Sequence, residues 1–283
     1  MFPHFRQAGL APVLALFTAA MPTYAQTSAP ATQNVVQSYS DLVDLAESAP
    51  LVLRGEVRGA ARLEPERAGK VREGAARVYV ETRGIGAYSG ILPSAPALHY
   101  LADVALDGRG KVPVLKKQQV ILFARPAPGG DGDLQLVAPD AQLPWSPELE
   151  TALRGVLGEL AAPDAPPRIT GVNMALYQEG DLAGEGETQI FLNTATSAPA
   201  AIIVRHQPGQ PARWGVSFSE VVNAASTPPV QGTLAWYRLA CSLPPVLPAA
   251  ANVGEAQETR DQAQADYLLV LRDLGACGRK RLP

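Results

Sequence analysis

The feature that most constrains the fold is a succession of short apolar runs, each interrupted by proline or glycine. The chain of 283 residues contains 26 prolines and 25 glycines, and these residues end long helices and favour turns. In residues 76–82, apolar and polar side chains alternate with the period of a half-buried strand. Many such runs in series indicate an α+β, β-rich protein rather than a helical bundle.

The first half of the chain opens with a helix-like segment, residues 39–48, with Ser40 as its predicted cap. Short strands separated by polar turns are typical of a small β-barrel or sandwich. We therefore expect such a domain over residues 39–145, with the glycine-containing segment 83–90 as a flexible loop between strands. The predicted strands cover residues 51–57, 76–82, 97–106, 119–124 and 134–137.

The second half has its own strand-like runs, followed by helical signals. Residues 233–242 fit a helix capped by Thr233, and a buried strand is the open alternative. A long C-terminal helix is predicted over residues 254–274, ending at Gly275. We expect an α+β domain over residues 168–283, joined to the first domain by a helix and proline-rich linker, residues 146–167. Its predicted strands cover residues 168–177, 188–193, 200–206 and 213–218.

The N-terminus has the pattern of a secretory signal peptide. Arg6 precedes an apolar stretch over residues 10–21, and Thr23 and Ala25 supply the small residues of a cleavage site. We therefore expect residues 1–25 to be removed and the mature protein to be periplasmic or secreted. The apolar stretch is shorter than a membrane span of about 20 residues, so no stable membrane insertion is expected after cleavage. The small, polar residues 26–38 are expected to form a disordered leader.

The chain has two cysteines, Cys241 and Cys277. An exported protein reaches an oxidising compartment, and an even number of cysteines there favours a disulfide. A reduced thiol pair and a metal site are the alternatives, but a metal site needs further ligands that the spacing does not supply. We therefore predict a Cys241–Cys277 disulfide that fastens the end of the C-terminal helix.

Two segments of the first half resemble a known architecture. Residues 49–57 (APLVLRGEV) and residues 113–126 (PVLKKQQVILFARP) follow each other in the order found in OB-like barrels of exported bacterial proteins. The resemblance implies a small OB-like barrel in the N-terminal half. Such barrels bind nucleic acid, sugars or proteins, and the resemblance carries no functional residue over to this chain.

The sequence assigns no catalytic residue. Histidine is the most useful acid or base near neutral pH, and the chain beyond the predicted signal peptide has His99 and His206. Ser217, Ser219 and Glu220 lie close to His206 in sequence and are the members of a conceivable hydrolase triad. A GxSxG nucleophile elbow is absent from the sequence.

Two glycine-rich acidic segments could supply oxygen ligands to calcium, although we interpret both as solvated turns in which glycine and aspartate adopt positive φ. One contains Asp181, Glu185 and Glu187, and the other contains Asp131 and Asp133. Neither has the spacing of an EF-hand. We predict no cofactor and no metal, and we leave a calcium role of the Asp181 segment open.

The formal net charge of −3 excludes a strongly basic nucleic-acid-binding protein. We expect an exported, non-enzymatic periplasmic or cell-envelope protein that binds another protein or a cell-wall glycan. The alternative is a periplasmic hydrolase whose serine, histidine and carboxylate come together only in the folded chain.

Overall fold

The computed structural model describes Met1, residues 37–220 and residues 227–281. The predicted signal peptide and nearly all of the predicted leader therefore lie outside the described residues, apart from Met1 and the last two leader positions. Within the described ranges the chain is a β-rich α+β protein with two antiparallel sheets and a C-terminal helix, which confirms the predicted fold class.

The secondary structure follows the predicted order with a few additions. The helices are α1 (Tyr39–Ser48), α2 (Pro65–Ala68), α3 (Pro147–Ala161), α4 (Leu234–Ala240) and α5 (Gln257–Leu274). The strands are β1 (Leu51–Arg62), β2 (Ala75–Ser89), β3 (Leu98–Ala105), β4 (Gln119–Pro126), β5 (Leu134–Leu136), β6 (Gln142–Pro144), β7 (Ile169–Glu179), β8 (Gly186–Thr194), β9 (Ala201–His206) and β10 (Arg213–Ser217).

The first sheet has the strand order β3-β2-β1-β4-β5, with β6 also paired to β4. The prediction of a flexible loop over residues 83–90 is wrong, because β2 continues through Ser89 against β1. Gly55 on β1 allows this close pairing: a Cβ there would lie 2.3 Å from the Thr82 side chain of β2. Glycine in this strand therefore marks a close approach of two backbones rather than a loop.

The two ends of the first sheet approach each other. The backbone N–H of His99 on β3 donates to the Gly132 carbonyl at 2.9 Å, and that of Asp103 donates to the Pro139 carbonyl at 2.7 Å. His99 and Asp133 form an isolated parallel bridge rather than part of a continuous ladder. The OB-like resemblance and the division into two domains stay predictions.

The second sheet has the order β10-β9-β8-β7, and all of its pairs are antiparallel. Helix α5 packs on β7 and β8 and ends at Gly275, whose φ of 70° favours glycine. The segment after Thr233 is helical, so the buried-strand alternative is wrong; Thr233 caps α4 through its side chain. Among the described helices, none is both long and apolar enough to cross a membrane.

Helix α1 links the first sheet to the C-terminal part of the chain. Its cap is Ser38, which forms a capping box with Asp41, rather than the predicted Ser40. Ser40 is buried and instead donates to the Cys277 carbonyl. The apolar core is continuous across α1, α3 and the inner faces of both sheets.

Acidic side chains of α1 hold the C-terminal tail and α4. Asp44 accepts hydrogen bonds from Arg279 at 2.6 Å and 2.8 Å and from the Tyr237 hydroxyl. Burial, together with the bond to Asp44, raises the pKa of Tyr237 to about 12. Glu47 accepts from the buried Arg238 at 2.6 Å. Cys241 and Cys277 form the predicted disulfide beside these contacts. Hydrogen bonds, ion pairs and a disulfide bond therefore all hold the C-terminal tail in place.

Candidate ligand-binding surface

An exposed aromatic pair lies on β2 and β3. The rings of Tyr79 and His99 are nearly parallel, with an interplanar angle of 9° and centroids 5.8 Å apart. Leu101 lies directly opposite Tyr79 in the strand register. Tyr79 and Leu101 are each 46 % exposed, which is unusual for side chains of this size in an ordered sheet. We refer to Tyr79, His99 and Leu101 as the β2–β3 platform.

Strand alternation explains why this platform faces outward. Val78 and Val80 on β2, and Leu98 and Tyr100 on β3, are buried in the core. The residues between them must point to the opposite face because side chains alternate along a strand. The hydrophobic pattern that builds the core therefore also presents Tyr79 to solvent.

Polar and charged groups surround the platform. Asp133, from the turn before β5, places Oδ1 at 3.5 Å from Nδ1 of His99. Glu81 lies opposite His99 in the register, and its side chain is exposed. Arg77 donates to Asp103 at 2.7 Å and 3.0 Å, and this contact raises the pKa of Arg77. The platform is thus an apolar surface edged by hydrogen-bonding groups, as in many ligand sites.

The second histidine is held differently. Nε2 of His206, at the end of β9, lies 2.9 Å from both carboxylate oxygens of Asp266 on α5. The Asp266 side chain is 3 % exposed and that of His206 is 22 % exposed. Tyr177 on β7 meets the His206 ring edge-on, at 80° with centroids 6.0 Å apart. A buried carboxylate that orients an imidazole is one half of an acid–base site.

The remaining partners of Asp266 complete a buried polar network. Thr188 on β8 donates its hydroxyl to Asp266, and the Gln262 amide donates to it at 3.0 Å. The Thr188 hydroxyl is therefore engaged with the carboxylate and not with the imidazole. We refer to His206, Asp266, Thr188 and Gln262 as the His206 network.

The structure does not bring the sequence-nominated serines to His206. Ser217 pairs with Ala201, which begins β9, whereas His206 ends that strand. The hydroxyls of Ser217 and Ser219 lie 3.0 Å from each other, and Glu220 is exposed on the segment that follows. The proposed arrangement of Ser217, Ser219 and Glu220 around His206 is therefore not assembled.

Two acidic side chains of the Asp181 segment have partners within the chain. Glu185 accepts from the Leu182 backbone at 3.3 Å, and Glu187 accepts from Arg205 at 2.9 Å. Asp133 contacts His99 of the β2–β3 platform, and Asp131 is exposed. Asp181 is also exposed. Within the described part of the chain, no group of three or more histidine, cysteine or acidic residues is arranged to hold a metal ion.

Sequence reasoning missed the residue that defines the His206 network. Asp266 lies 60 positions from His206 in the polar half of a helix, where an acidic residue ordinarily faces solvent. One signal was present: Ala263, Tyr267, Val270 and Leu274 form the buried stripe of α5, and Asp266 lies next to that stripe at helical spacing.

No protein-family model matches the chain, and no curated protein does. Function must therefore be inferred from the two sites themselves.

Proposed function

We propose that this protein is an exported, non-enzymatic binding protein of the periplasm or cell envelope, and that its ligand is a glycan bound on the β2–β3 platform. The observation that carries the proposal is the nearly parallel pair formed by the exposed Tyr79 and the half-buried His99. An exposed aromatic side chain next to a second ring offers apolar area against which a sugar ring can pack, and the polar atoms of both rings remain available at their edges.

The surroundings of the platform favour a sugar over a nucleic acid. Glu81 and Asp133 place carboxylates beside the rings, and the formal net charge is −3. Phosphate backbones need cationic contacts for affinity, whereas sugar hydroxyls hydrogen-bond to carboxylates. The OB-like resemblance is compatible with a glycan but does not favour it over a nucleic acid, because such barrels bind both oligonucleotides and oligosaccharides.

The proposal is tested by replacing Tyr79 with alanine and titrating oligomers of N-acetylglucosamine and solubilised cell-wall glycan strands in a calorimeter. We expect saturable binding by the wild type and a loss of about tenfold or more for Tyr79→Ala, since one stacking contact is worth roughly 1–3 kcal/mol. The matched control is Ile85→Ala, which removes another exposed apolar side chain of β2 and should leave binding unchanged.

The possible outcomes distinguish an error in the proposed ligand class from an error in the proposed binding surface. If neither glycan binds but a periplasmic protein binds the wild type and not Tyr79→Ala, the surface is correct and the glycan is wrong. If a glycan binds equally to the wild type and both variants, the β2–β3 platform is not the site.

Export is a separate part of the proposal. When the full chain is expressed in a Gram-negative bacterium, the periplasmic fraction should contain a protein whose N-terminal sequencing starts at Gln26. Retention of the unprocessed chain in the cytoplasm would contradict the proposed localisation.

A second candidate, hydrolysis, has one specific observation in its favour. Asp266 is buried and holds Nε2 of His206, which leaves Nδ1 as the nitrogen that could take up a proton as a general base. Chromogenic esters and glycosides should then be cleaved by the wild type and not by His206→Ala. His99→Ala is the matched control, because it removes the other imidazole and leaves the His206 network intact.

A further inference from the structure

The hairpin that joins β9 and β10 carries a small cavity with two arginines. Arg205 on β9 and Arg213 on β10 face each other directly in the antiparallel register. Together with Gln207, Pro211 and Trp214 they line a cavity of about 240 Å³. Like charges directly opposite each other on neighbouring strands destabilise a sheet, so this arrangement calls for a compensating negative charge.

The charge next to Arg205 comes from Glu187. Glu187, Arg205 and Arg213 form one row across three neighbouring strands. The Glu187 carboxylate accepts from Nε of Arg205 at 2.9 Å and from the Gln189 amide at 2.8 Å. Arg205 thus lies between Glu187 and Arg213, and Arg213 is exposed at the end of the row.

An aspartate of α5 fixes Trp214, one of the residues that line the cavity. Asp273 on α5 accepts the indole N–H of Trp214 at 3.1 Å and lies 3.6 Å from Arg272. Trp214 is 5 % exposed, so its ring forms a fixed wall of the cavity rather than a mobile surface group. Within the described ranges, Arg213 makes no ion pair or side-chain hydrogen bond with the rest of the chain.

We propose that this cavity, the hairpin cavity, binds a small oxyanion: a carboxylate or phosphate group of a small molecule or of a chain terminus. Arginine binds both groups through two parallel hydrogen bonds, and the Gln207 amide supplies a further neutral donor. The volume is somewhat below the roughly 300–1,000 Å³ of sites for drug-sized ligands, which fits an anion of few atoms. The proposal is independent of glycan binding on the β2–β3 platform.

The test is a calorimetric titration of the mature protein with inorganic phosphate and, separately, with succinate. We expect saturable binding of at least one anion, and a loss of tenfold or more for Arg213→Gln. Arg213→Lys keeps the charge but loses the planar fork, so it should retain part of the affinity. The matched control is Arg109→Gln, which removes an exposed arginine of the first half of the chain and should bind like the wild type.

Thermal unfolding provides a second readout, because an anion that binds only the folded protein raises its Tm with concentration. A rise in Tm with phosphate alone assigns the site to phosphate groups, and a rise in Tm with succinate alone assigns it to carboxylates. The proposal is overturned if neither anion binds at 50 mM phosphate or succinate, or if Arg213→Gln and Arg109→Gln bind as well as the wild type.

Discussion

The two histidines of the described chain each face an aspartate, but the two pairs lie in opposite environments. On the first sheet, His99 and Asp133 are 3.5 Å apart with side chains 34 % and 44 % exposed. On the second sheet, His206 and Asp266 are 2.9 Å apart with side chains 22 % and 3 % exposed. Solvent screens the first pair and leaves it free to exchange partners, whereas the second pair is locked.

The difference arises from the elements that supply each aspartate. Asp133 comes from the turn before β5, and its side chain is 44 % exposed. Asp266 comes from α5, which covers the inner face of the second sheet. A carboxylate buried without partners costs several kcal/mol, and Thr188 and Gln262 supply them. The exposed pair suits recognition, and the buried pair suits stability or acid–base chemistry.

The largest expected effect follows from removing the disulfide. The bridge joins residues 36 positions apart, and in the chain-entropy model its loss lowers the free energy of unfolding by about 4 kcal/mol. Because Cys277 follows α5 closely, the Cys241→Ala/Cys277→Ala variant should lose amide protection around Asp266 more than around His99. Urea unfolding and hydrogen exchange measure the two effects.

A control separates the effect of losing the cross-link from the effect of replacing the two cysteine side chains. The reduced wild type should lose a similar free energy to the double variant, since both lack the cross-link. If hydrogen exchange rises equally in both sheets, the bridge does not anchor the His206 network selectively.

The second-largest expected effect is the destabilisation caused by Asp266→Ala. This change leaves the buried Thr188 hydroxyl and the His206 imidazole without their acceptor, and each unsatisfied buried group costs roughly 1–3 kcal/mol. We expect a loss of about 2–4 kcal/mol in the free energy of unfolding, measured by urea denaturation. Asp266→Asn keeps an acceptor and should lose less. An unchanged midpoint for Asp266→Ala would contradict the description of a satisfied buried network.

Asp133→Ala is the corresponding change in the exposed pair and should have a much smaller effect. Surface ion pairs contribute about 0–1 kcal/mol, so we expect a loss below about 0.5 kcal/mol. Glycan affinity is the more informative readout, because the variant removes a hydrogen-bonding group from the edge of the β2–β3 platform. A destabilisation as large as that of Asp266→Ala would remove the contrast between the two pairs.

The β-rich fold could be predicted because it depends on local pattern. In β3 and β9, runs of apolar residues bounded by polar turns placed the strands within one or two residues of their observed limits. The glycines of β2 led to a wrong prediction. A glycine such as Gly84 is compatible with a loop and with a closely paired strand, and only its pairing with Gly55 on β1 shows which of the two forms.

The sites were less accessible to sequence reasoning because they depend on contacts between distant segments. The disulfide was predictable because two cysteines allow one pairing. The Tyr79–His99 pair needs the register of β2 against β3, which alternation alone does not fix. The pairing of Asp266 with His206 needs the position of α5 on the sheet. The apolar stripe next to Asp266 indicates that this helix face is buried but not which residue the carboxylate meets.

A third carboxylate, Glu150 on α3, is intermediate between the two aspartates in exposure, with a side chain 20 % exposed. The indole N–H of Trp145 donates to it at 2.7 Å, and Arg154 donates to it at 2.8 Å. These bonds favour the charged form and lower the pKa of Glu150 to about 2. Arg54 also contacts Glu150 at 3.2 Å and lies 3.7 Å from the centre of the Trp145 ring.

The smallest predicted effect is a change in the titration of this one carboxyl. A carboxyl whose pKa is lowered on folding stabilises the folded state above its unfolded pKa, near 4.5, and this contribution is lost as the pH falls through about 2. The Glu150 carboxyl carbon should therefore titrate near pH 2 in an NMR experiment. Trp145→Phe removes the strongest donor and should raise the midpoint most, and Arg154→Ala should raise it less. If Glu150 titrates near pH 4.5 in the wild type, its contacts do not favour the charged form. Partial burial would then not give Glu150 a different electrostatic environment from that of an exposed carboxylate such as Asp133.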